Sequence, residues 1–292
     1  MANPLCLQLP TPLQSLQLLD GIDLWMKRDD LIHPIVAGNK WRKLAGYFEQ
    51  LPAHSQVLTF GGAYSNHLAA AATALQALGH DGVFVIRGDE LNEHSSPVLS
   101  HCTEAGMQLR FISRQQFRQL REQAWQPSDE QLLAWQVSKD HKLLPEGGSG
   151  AHNDLGCAQL WQELQAQGPI HDLWLAAGTA GTAQGLIRAM PHSCNTHITV
   201  VSAVKGAHRE AAQTQALAAG KNIQLTWLDE TQFGGFAKSN AQLRFSSEEF
   251  YKITGINLDP VYNAKLWWQL QQASPSNGKL VWINTGGLRL PA

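Results

Sequence analysis

Lysine chemistry is the first possibility that the sequence offers. The stretch "AGNKWRKL" sets Lys40 directly after Asn39, at the head of a run in which Trp41, Leu44, Ala45 and Phe48 recur on one helical face. Asn39 is of the type that caps helices, which makes Lys40 the expected first helical residue. There the positive end of the helix dipole and the neighbouring Arg42 and Lys43 disfavour an ammonium. A lysine biased toward the free amine is the nucleophile that forms an imine with a carbonyl compound. The same residues also read as a solvated basic face beside an apolar stripe, and local pattern does not choose between the two.

Glycine-bearing stretches add binding chemistry. "GTAGT" comprises Gly178, Thr179, Ala180, Gly181 and Thr182, and it offers backbone N–H groups at a helix start together with two hydroxyls. That arrangement suits a phosphate dianion, although a plain strand-to-helix turn has the same composition. It is neither G-x-G-x-x-G nor a P-loop, which argues against a dinucleotide or a nucleoside triphosphate. "GGAYSNH" places Ser65, Asn66 and His67 at another helix start, where N–H groups could hold a carboxylate or where Ser65 or Asn66 is simply the cap. Glu146 in "LPEGG" is an acid at a turn, and His67 reads either as a group touching substrate or cofactor or as a structural histidine.

Positioning these groups requires strands that end in glycine. "QVLTF", "GGAYSN" and "HLAAAATALQALG" read as strand, turn and helix, with Gly79 as the stop, and "GVFVIRG" follows as the next strand. "DLWLA", "AGTAGT", "AQGLIRAM" and "HITVVSA" repeat the pattern, and "KLVWINTGG" adds a strand that again ends in glycine. Such alternation predicts parallel sheets with helices on both faces, and ligands in such folds bind outside the carboxyl ends of the strands.

The totals narrow the class. A chain of 292 residues fits one large or two interleaved α/β units, and a formal charge of −2 gives no basic excess for nucleic acid or anionic lipid. No apolar run reaches the roughly 20 residues of a membrane span, and "MANPLCLQLPTPLQ" lacks the pattern of a secretory signal, so a cytoplasmic location is expected. Cys6, Cys102, Cys157 and Cys194 stand too far apart for a zinc site or a disulfide framework and are expected as buried small hydrophobes. The ten tryptophans, without a basic stripe, read as packing residues.

In order and approximate separation, "KRDDLIHPIVAGNKWRKL", "FGGAYSNHLAAAA", "LPEGG", "AAGTAGTAQGL", "LDPVYNAK" and "NTGG" resemble the family of 1-aminocyclopropane-1-carboxylate deaminases and D-cysteine desulfhydrases. The likeness runs from about Lys27 to Gly287. It implies an α/β fold of the tryptophan synthase β-like kind (fold type II) and the cofactor pyridoxal 5′-phosphate (PLP). It also implies two interleaved domains, a large PLP-binding domain of residues 1–44 and 151–292 and a small α/β domain of residues 45–150.

By resemblance, Lys40 makes the imine with PLP and later moves protons. Asn66 bonds the cofactor's phenolic oxygen, Gly178 to Thr182 hold its phosphate, and Asn263 and Thr285 join the cofactor contacts. Ser65 with the following N–H groups takes the substrate carboxylate, Asn66 and His67 belong to the substrate pocket, and Tyr262 is the active-site tyrosine, counted with Lys40 and Ser65 as catalytic. Two departures bear on substrate. Asn263 stands where the deaminases have a glutamate facing the pyridine nitrogen, and Phe236 stands where they have a second tyrosine. Both favour β-elimination from a small amino acid, D-cysteine-like, over cyclopropane opening. The alternatives are a 1-aminocyclopropane-1-carboxylate deaminase, an amino acid racemase, or a PLP-binding protein with little turnover. A homodimer is implied, with no nucleic-acid or membrane partner.

Overall fold

The computed structural model describes residues 4–148, 150, 152–229, 232–235, 237–274 and 278–286, so Phe236 and Gly287 lie outside the described residues. In chain order the first strands are β1 (Leu13–Leu16) and β2 (Asp23–Lys27). Helix α1 (Asn39–Glu49) leads into β3 (Gln56–Gly62), α2 (Asn66–Leu78), β4 (Asp81–Arg87) and α3 (Pro97–Glu104). Then come β5 (Gln108–Ile112), α4 (Arg114–Glu122), α5 (Asp129–Ala134) and β6 (Lys142–Leu144). The remainder runs through α6 (Asn153–Gln165), β7 (Asp172–Ala177), α7 (Gly181–Ala189), β8 (His197–Ser202) and α8 (His208–Gly220). It ends with β9 (Leu225–Asp229), α9 (Ala241–Thr254), α10 (Asn263–Leu270) and β10 (Lys279–Ile283).

Among the described residues, one compact unit comprises residues 4–7 and His33–Asn153, and the other comprises Gln8–Ile32 and residues 154–286. The division at 32/33 differs from the 44/45 boundary drawn from sequence, which would cut α1 in two. A continuous helix stays with the sheet it packs on, so Lys40 goes with the first unit.

The first unit holds a four-stranded sheet in the order β5-β4-β3-β6, parallel throughout. Parallel strands need crossovers, which here are helices, and a sheet covered on both faces reads as continuous apolar runs. Val57, Leu58, Thr59 and Phe60 of β3 are accordingly all fully buried. Helix α2 lies close on β3 because Gly61 has no side chain: a Cβ there would stand 2.7 Å from Leu68 Cγ. Gly79 ends α2 in the left-handed conformation (φ 71°), which glycine adopts without steric cost.

The second unit holds a six-stranded sheet in the order β1-β2-β10-β7-β8-β9, parallel except for the antiparallel β1–β2 pair. Its core includes Trp282, Trp267 and Phe250, with the two indoles stacked at 6.2 Å between ring centroids. Five of the ten tryptophans, Trp135, Trp161, Trp174, Trp267 and Trp282, are buried in the cores of the two units, as packing residues should be. Lys27 on β2 is buried, and its ammonium meets Glu163 of α6 at 2.5 Å and the Thr11 carbonyl at 2.6 Å, which compensates its lost hydration. Of the cysteines, Cys102 and Cys157 are buried, whereas Cys6 is exposed and Cys194 half-buried, so the small-hydrophobe expectation holds for two of the four. Cys6 precedes the first strand, outside any packed layer.

Gly61→Ala should lower stability by about 1–3 kcal/mol, because the added methyl overlaps a packed leucine. Gly62→Ala, where the nearest atom is Arg87 Nη2 at 3.5 Å, should cost clearly less. Urea unfolding of the two variants checks the difference.

Candidate active site

In the first unit the chain enters α1 through Gly38 (φ 52°, ψ −129°), a conformation that glycine alone adopts readily. The cap is therefore Gly38, and not Asn39 as the sequence suggests; Asn39 is the first helical residue and Lys40 the second. No side chain caps this helix start, and the Asn39 amide oxygen instead accepts a hydrogen bond from Lys40 Nζ at 2.7 Å. Arg42 and Lys43 are buried, 0% and 6% exposed, which removes the reading of a solvated basic face. Lys40 itself is half-buried.

Ser65 occupies the N-cap of α2 in extended backbone, but its hydroxyl makes no capping hydrogen bond. Ser65 is thus the cap by position, as one reading of the sequence has it, but not by side-chain hydrogen bond; the Leu68 N–H donates to the Ser65 carbonyl at 3.0 Å. Asn66 and His67 form the first turn. His67 is buried, with Nε2 at 2.9 Å from Thr59 Oγ1. Thr59 donates its one proton to the Leu144 carbonyl at 2.8 Å, so His67 must donate from Nε2. That fixes the tautomer and leaves Nδ1 as a buried acceptor without a hydrogen-bond partner among the described residues. Burial first, then the charges of Lys40, Lys43 and His152, lowers the His67 pKa to about 3, so the ring is neutral in any ordinary buffer. Glu146 is engaged in an ion pair with Arg121 at 2.7 Å, facing solvent.

In the second unit Gly178 and Thr179 link β7 to α7, and Ala180 stands at the N-cap with φ 55°. No side chain caps α7, and Gly181 and Thr182 form its buried first turn. The loop lies against Tyr262: a Cβ on Gly178 would come within 3.2 Å of both Cε1 and the hydroxyl of that ring. Burial first, then the nearby Asp259 carboxylate, pushes the Tyr262 pKa up to about 12, so the side chain is a phenol and a proton donor at neutral pH. Thr285 is buried just beyond the end of β10.

Asn263, expected by resemblance among the cofactor contacts, has its side chain engaged within the protein. It is fully buried; its Nδ2 donates to Asp259 at 2.6 Å and its Oδ1 accepts from Trp282 Nε1 at 3.1 Å. Both ends of the amide are thus engaged inside the core. The residue that sequence reasoning missed is Asp259. Its signal was an aspartate before Pro260 at a helix start, the usual chemistry of a cap.

These residues fit PLP in kind. A half-buried lysine at an uncapped helix start can carry the aldehyde, the α7 N–H groups with Thr179 and Thr182 suit a phosphate, and Gly178 leaves room that a Cβ would fill.

Two outcomes follow. Gly178→Ala should raise the apparent Kd for PLP about tenfold or more, checked by fluorescence titration of the apoprotein, because the methyl pushes on Tyr262. His67, protonated when unfolded near its ordinary pKa of 6.5 but neutral when folded, contributes stability that is complete above about pH 6.5 and is lost as pH falls toward 3. His67→Gln should therefore flatten the pH dependence of urea stability in that window by up to about 1.4 kcal/mol per pH unit.

Comparison with known proteins agrees with this chemistry. Residues 7–262 match the family model described as pyridoxal-phosphate dependent enzyme. The bifunctional D-cysteine desulfhydrase/1-aminocyclopropane-1-carboxylate deaminase of Arabidopsis thaliana, a mitochondrial protein, is 26% identical over 96% of this chain and 77% of its own length. A D-cysteine desulfhydrase of Klebsiella pneumoniae is 27% identical over 95% of this chain and 92% of its own. Among solved structures, an ACC deaminase homologue superposes with a TM-score of 0.75 at 23% identity, covering 94% of this chain and 89% of that one. A fungal L-serine ammonia-lyase from Rhizomucor miehei gives 0.65 at 14% identity, covering 95% and 93%. The fold is therefore the α/β fold type II of PLP enzymes, and the chain belongs to the family of pyridoxal-phosphate dependent enzymes.

Proposed function

We propose that this enzyme is a PLP-dependent lyase that removes a β-substituent from a small amino acid, with D-cysteine as the model substrate, giving sulfide, ammonia and pyruvate. The observation that carries the reading is the Tyr262 hydroxyl, a buried phenol held against the "GTAGT" loop, while Asn263 is turned into the core. Lys40 would link the cofactor, the α7 start would hold its phosphate, and Asn66 and Thr285 would contact its ring. When bound, PLP supplies the electron sink for the carbon that loses a proton.

The chain's own groups then divide the work. Ser65 and the uncapped N–H groups of α2 hold the substrate carboxylate, which fixes the Cα–H bond for removal. Lys40, as amine, takes the Cα proton. Tyr262 donates its proton to the departing sulfur as the C–S bond breaks, so that a neutral group leaves. A phenol kept protonated suits this task better than it suits nucleophilic attack. The neutral His67, unable to take up charge, keeps the start of α2 free of a second cation beside Lys40. Relatives named for D-cysteine desulfhydration in two organisms support the reaction class. A cytoplasmic location and a homodimer belong to the same reading and rest on the resemblance.

A second reading, 1-aminocyclopropane-1-carboxylate deamination, draws on the other activity named for the Arabidopsis relative. A screen of D- and L-amino acids for 2-oxo acid and ammonia separates the cases. Pyruvate with sulfide from cysteine supports the lyase, 2-oxobutyrate from the cyclopropane substrate replaces it, and an enantiomer without 2-oxo acid makes the enzyme a racemase. Tyr262→Phe should keep PLP and lower kcat by about 10²- to 10⁴-fold, roughly 3 to 5 kcal/mol of barrier. Wild-type turnover in that variant would remove the phenol from the chemistry.

A further inference from the structure

We propose that Asp259 is the positioning residue of Tyr262, an ionised carboxylate that fixes the start of α10 and keeps the Tyr262 hydroxyl in its proton-donating form. The proposal rests on the lyase reading of Tyr262 and adds a residue to it.

The geometry is that of a fully used anion. Asp259 Oδ1 accepts from the backbone N–H of Val261 at 3.2 Å and of Tyr262 at 2.7 Å. Its Oδ2 accepts from the N–H of Asn263 at 3.0 Å and from Asn263 Nδ2 at 2.6 Å. The Asp259 carbonyl also accepts from the N–H of Ala264 at 3.0 Å. An ionised carboxylate is acceptor only and offers about four lone-pair sites, all of which face donors here. Protonation would set an O–H against one of those N–H groups, so the anion is the form that fits. Burial opposes the charge and raises the Asp259 pKa, while the N–H groups of Asn263, Tyr262 and Val261 draw it back.

The same contacts tie the tyrosine to the sheet. Tyr262 is the N-cap of α10 in helical backbone (φ −116°, ψ −66°) and has no side-chain cap of its own. Its N–H to Asp259 at 2.7 Å sets the point from which the ring reaches Gly178. Asn263 passes the constraint on, since its Oδ1 accepts from Trp282 Nε1 of β10. Trp282 is 0% solvent-accessible and packs with Trp267 and Phe250 in the core of that unit. Loop residue Asp259 is thereby referred to an inner strand of the six-stranded sheet.

Charge completes the argument. A negative carboxylate beside a buried phenol opposes a second negative charge, so ionisation of Tyr262 is disfavoured. Within the unit, Asp259 acts on the hydroxyl from the preceding loop, and the β7–α7 loop presents Gly178, which has no titrating group. Lys265, one turn along α10, is buried and sends its ammonium to the Gly235 carbonyl at 2.6 Å. The function of Asn263 changes in this light. In place of a group facing the cofactor, it is the bridge between the carboxylate and the sheet.

The test uses ring-labelled tyrosine in the full chain, with the Tyr262 signal assigned by Tyr262→Phe and the fold followed by circular dichroism. In wild type, Tyr262 should remain a phenol at about pH 11, where an ordinary tyrosine with a pKa near 10 has largely ionised. Asp259→Asn should shift the Tyr262 titration down by about one pH unit, a tenfold rise in acidity, and move the alkaline limb of kcat with it. Asp259→Glu, which restores the charge, should return the titration toward wild type. An unchanged Tyr262 titration in folded Asp259→Asn would overturn the proposal. If that variant does not fold, ionisation of Tyr262 near pH 10 in wild type would overturn it equally. The titration needs no substrate, so it stands even if no amino acid is turned over, an outcome that would count against the lyase reading alone.

Discussion

Backbone N–H groups at helix starts are the constraint on which the proposed chemistry depends. Every helix leaves its first N–H groups without partners inside the helix, and a soluble fold normally supplies a side-chain acceptor. Four helices away from the residues assigned to chemistry follow that rule: Ser96, Ser113, Ser128 and Asn240 each accept a backbone N–H at the starts of α3, α4, α5 and α9, while α8, with Ala207 at its N-cap, has no such acceptor. The starts of α1, α2 and α7 do not, even though Ser65 stands in position to do so. Those starts carry Lys40, the Ser65-Asn66-His67 run and the "GTAGT" loop. In the proposed function an anionic ligand would meet them, since PLP with an amino acid brings a phosphate and a carboxylate.

Holding such starts open costs stability, and the cores compensate. In the first unit, glycine at 61 lets α2 settle on β3, and the Thr59–His67 hydrogen bond fixes the imidazole without giving it charge. In the second, the stacked Trp267 and Trp282 form a rigid floor, and the Asp259-Asn263-Trp282 chain runs from that floor to Tyr262. Buried polar groups of this kind are costly unless every member is satisfied, and here the carboxylate and amide are. Asn263, the residue after the tyrosine, thus links the Asp259 carboxylate to the Trp282 indole.

Much of this was legible in the sequence for physical reasons. Strand, glycine, helix repeats state their own hydrogen-bonding pattern, and Gly79 caps α2 as its position suggests. The turn read at "GGAYSN" begins later than expected, because Gly61 and Gly62 still belong to β3, where Gly61 leaves room for Leu68 of α2. What sequence does not carry is the partner of a side chain. Asn39 has the right type for a cap, but Gly38 reaches a backbone conformation that asparagine does not, and so takes the role. Arg42 and Lys43 look solvated because they are charged, yet the tertiary fold buries them. Asn263 has no pattern that tells whether its amide faces a ligand or the core; only the approach of Asp259 and Trp282 decides it. Asp259 went unread because one aspartate before a proline is common.

In the proposed function Lys40, at the start of α1, is the residue that holds PLP. Borohydride reduction of the holoenzyme followed by peptide mapping tests it most directly, since reduction makes the link permanent without requiring a substrate. One pyridoxyl group per chain is expected, on the peptide that contains Lys40, and no such group after Lys40→Ala. A pyridoxyl group on any other lysine, Lys43 and Lys265 included, would contradict it.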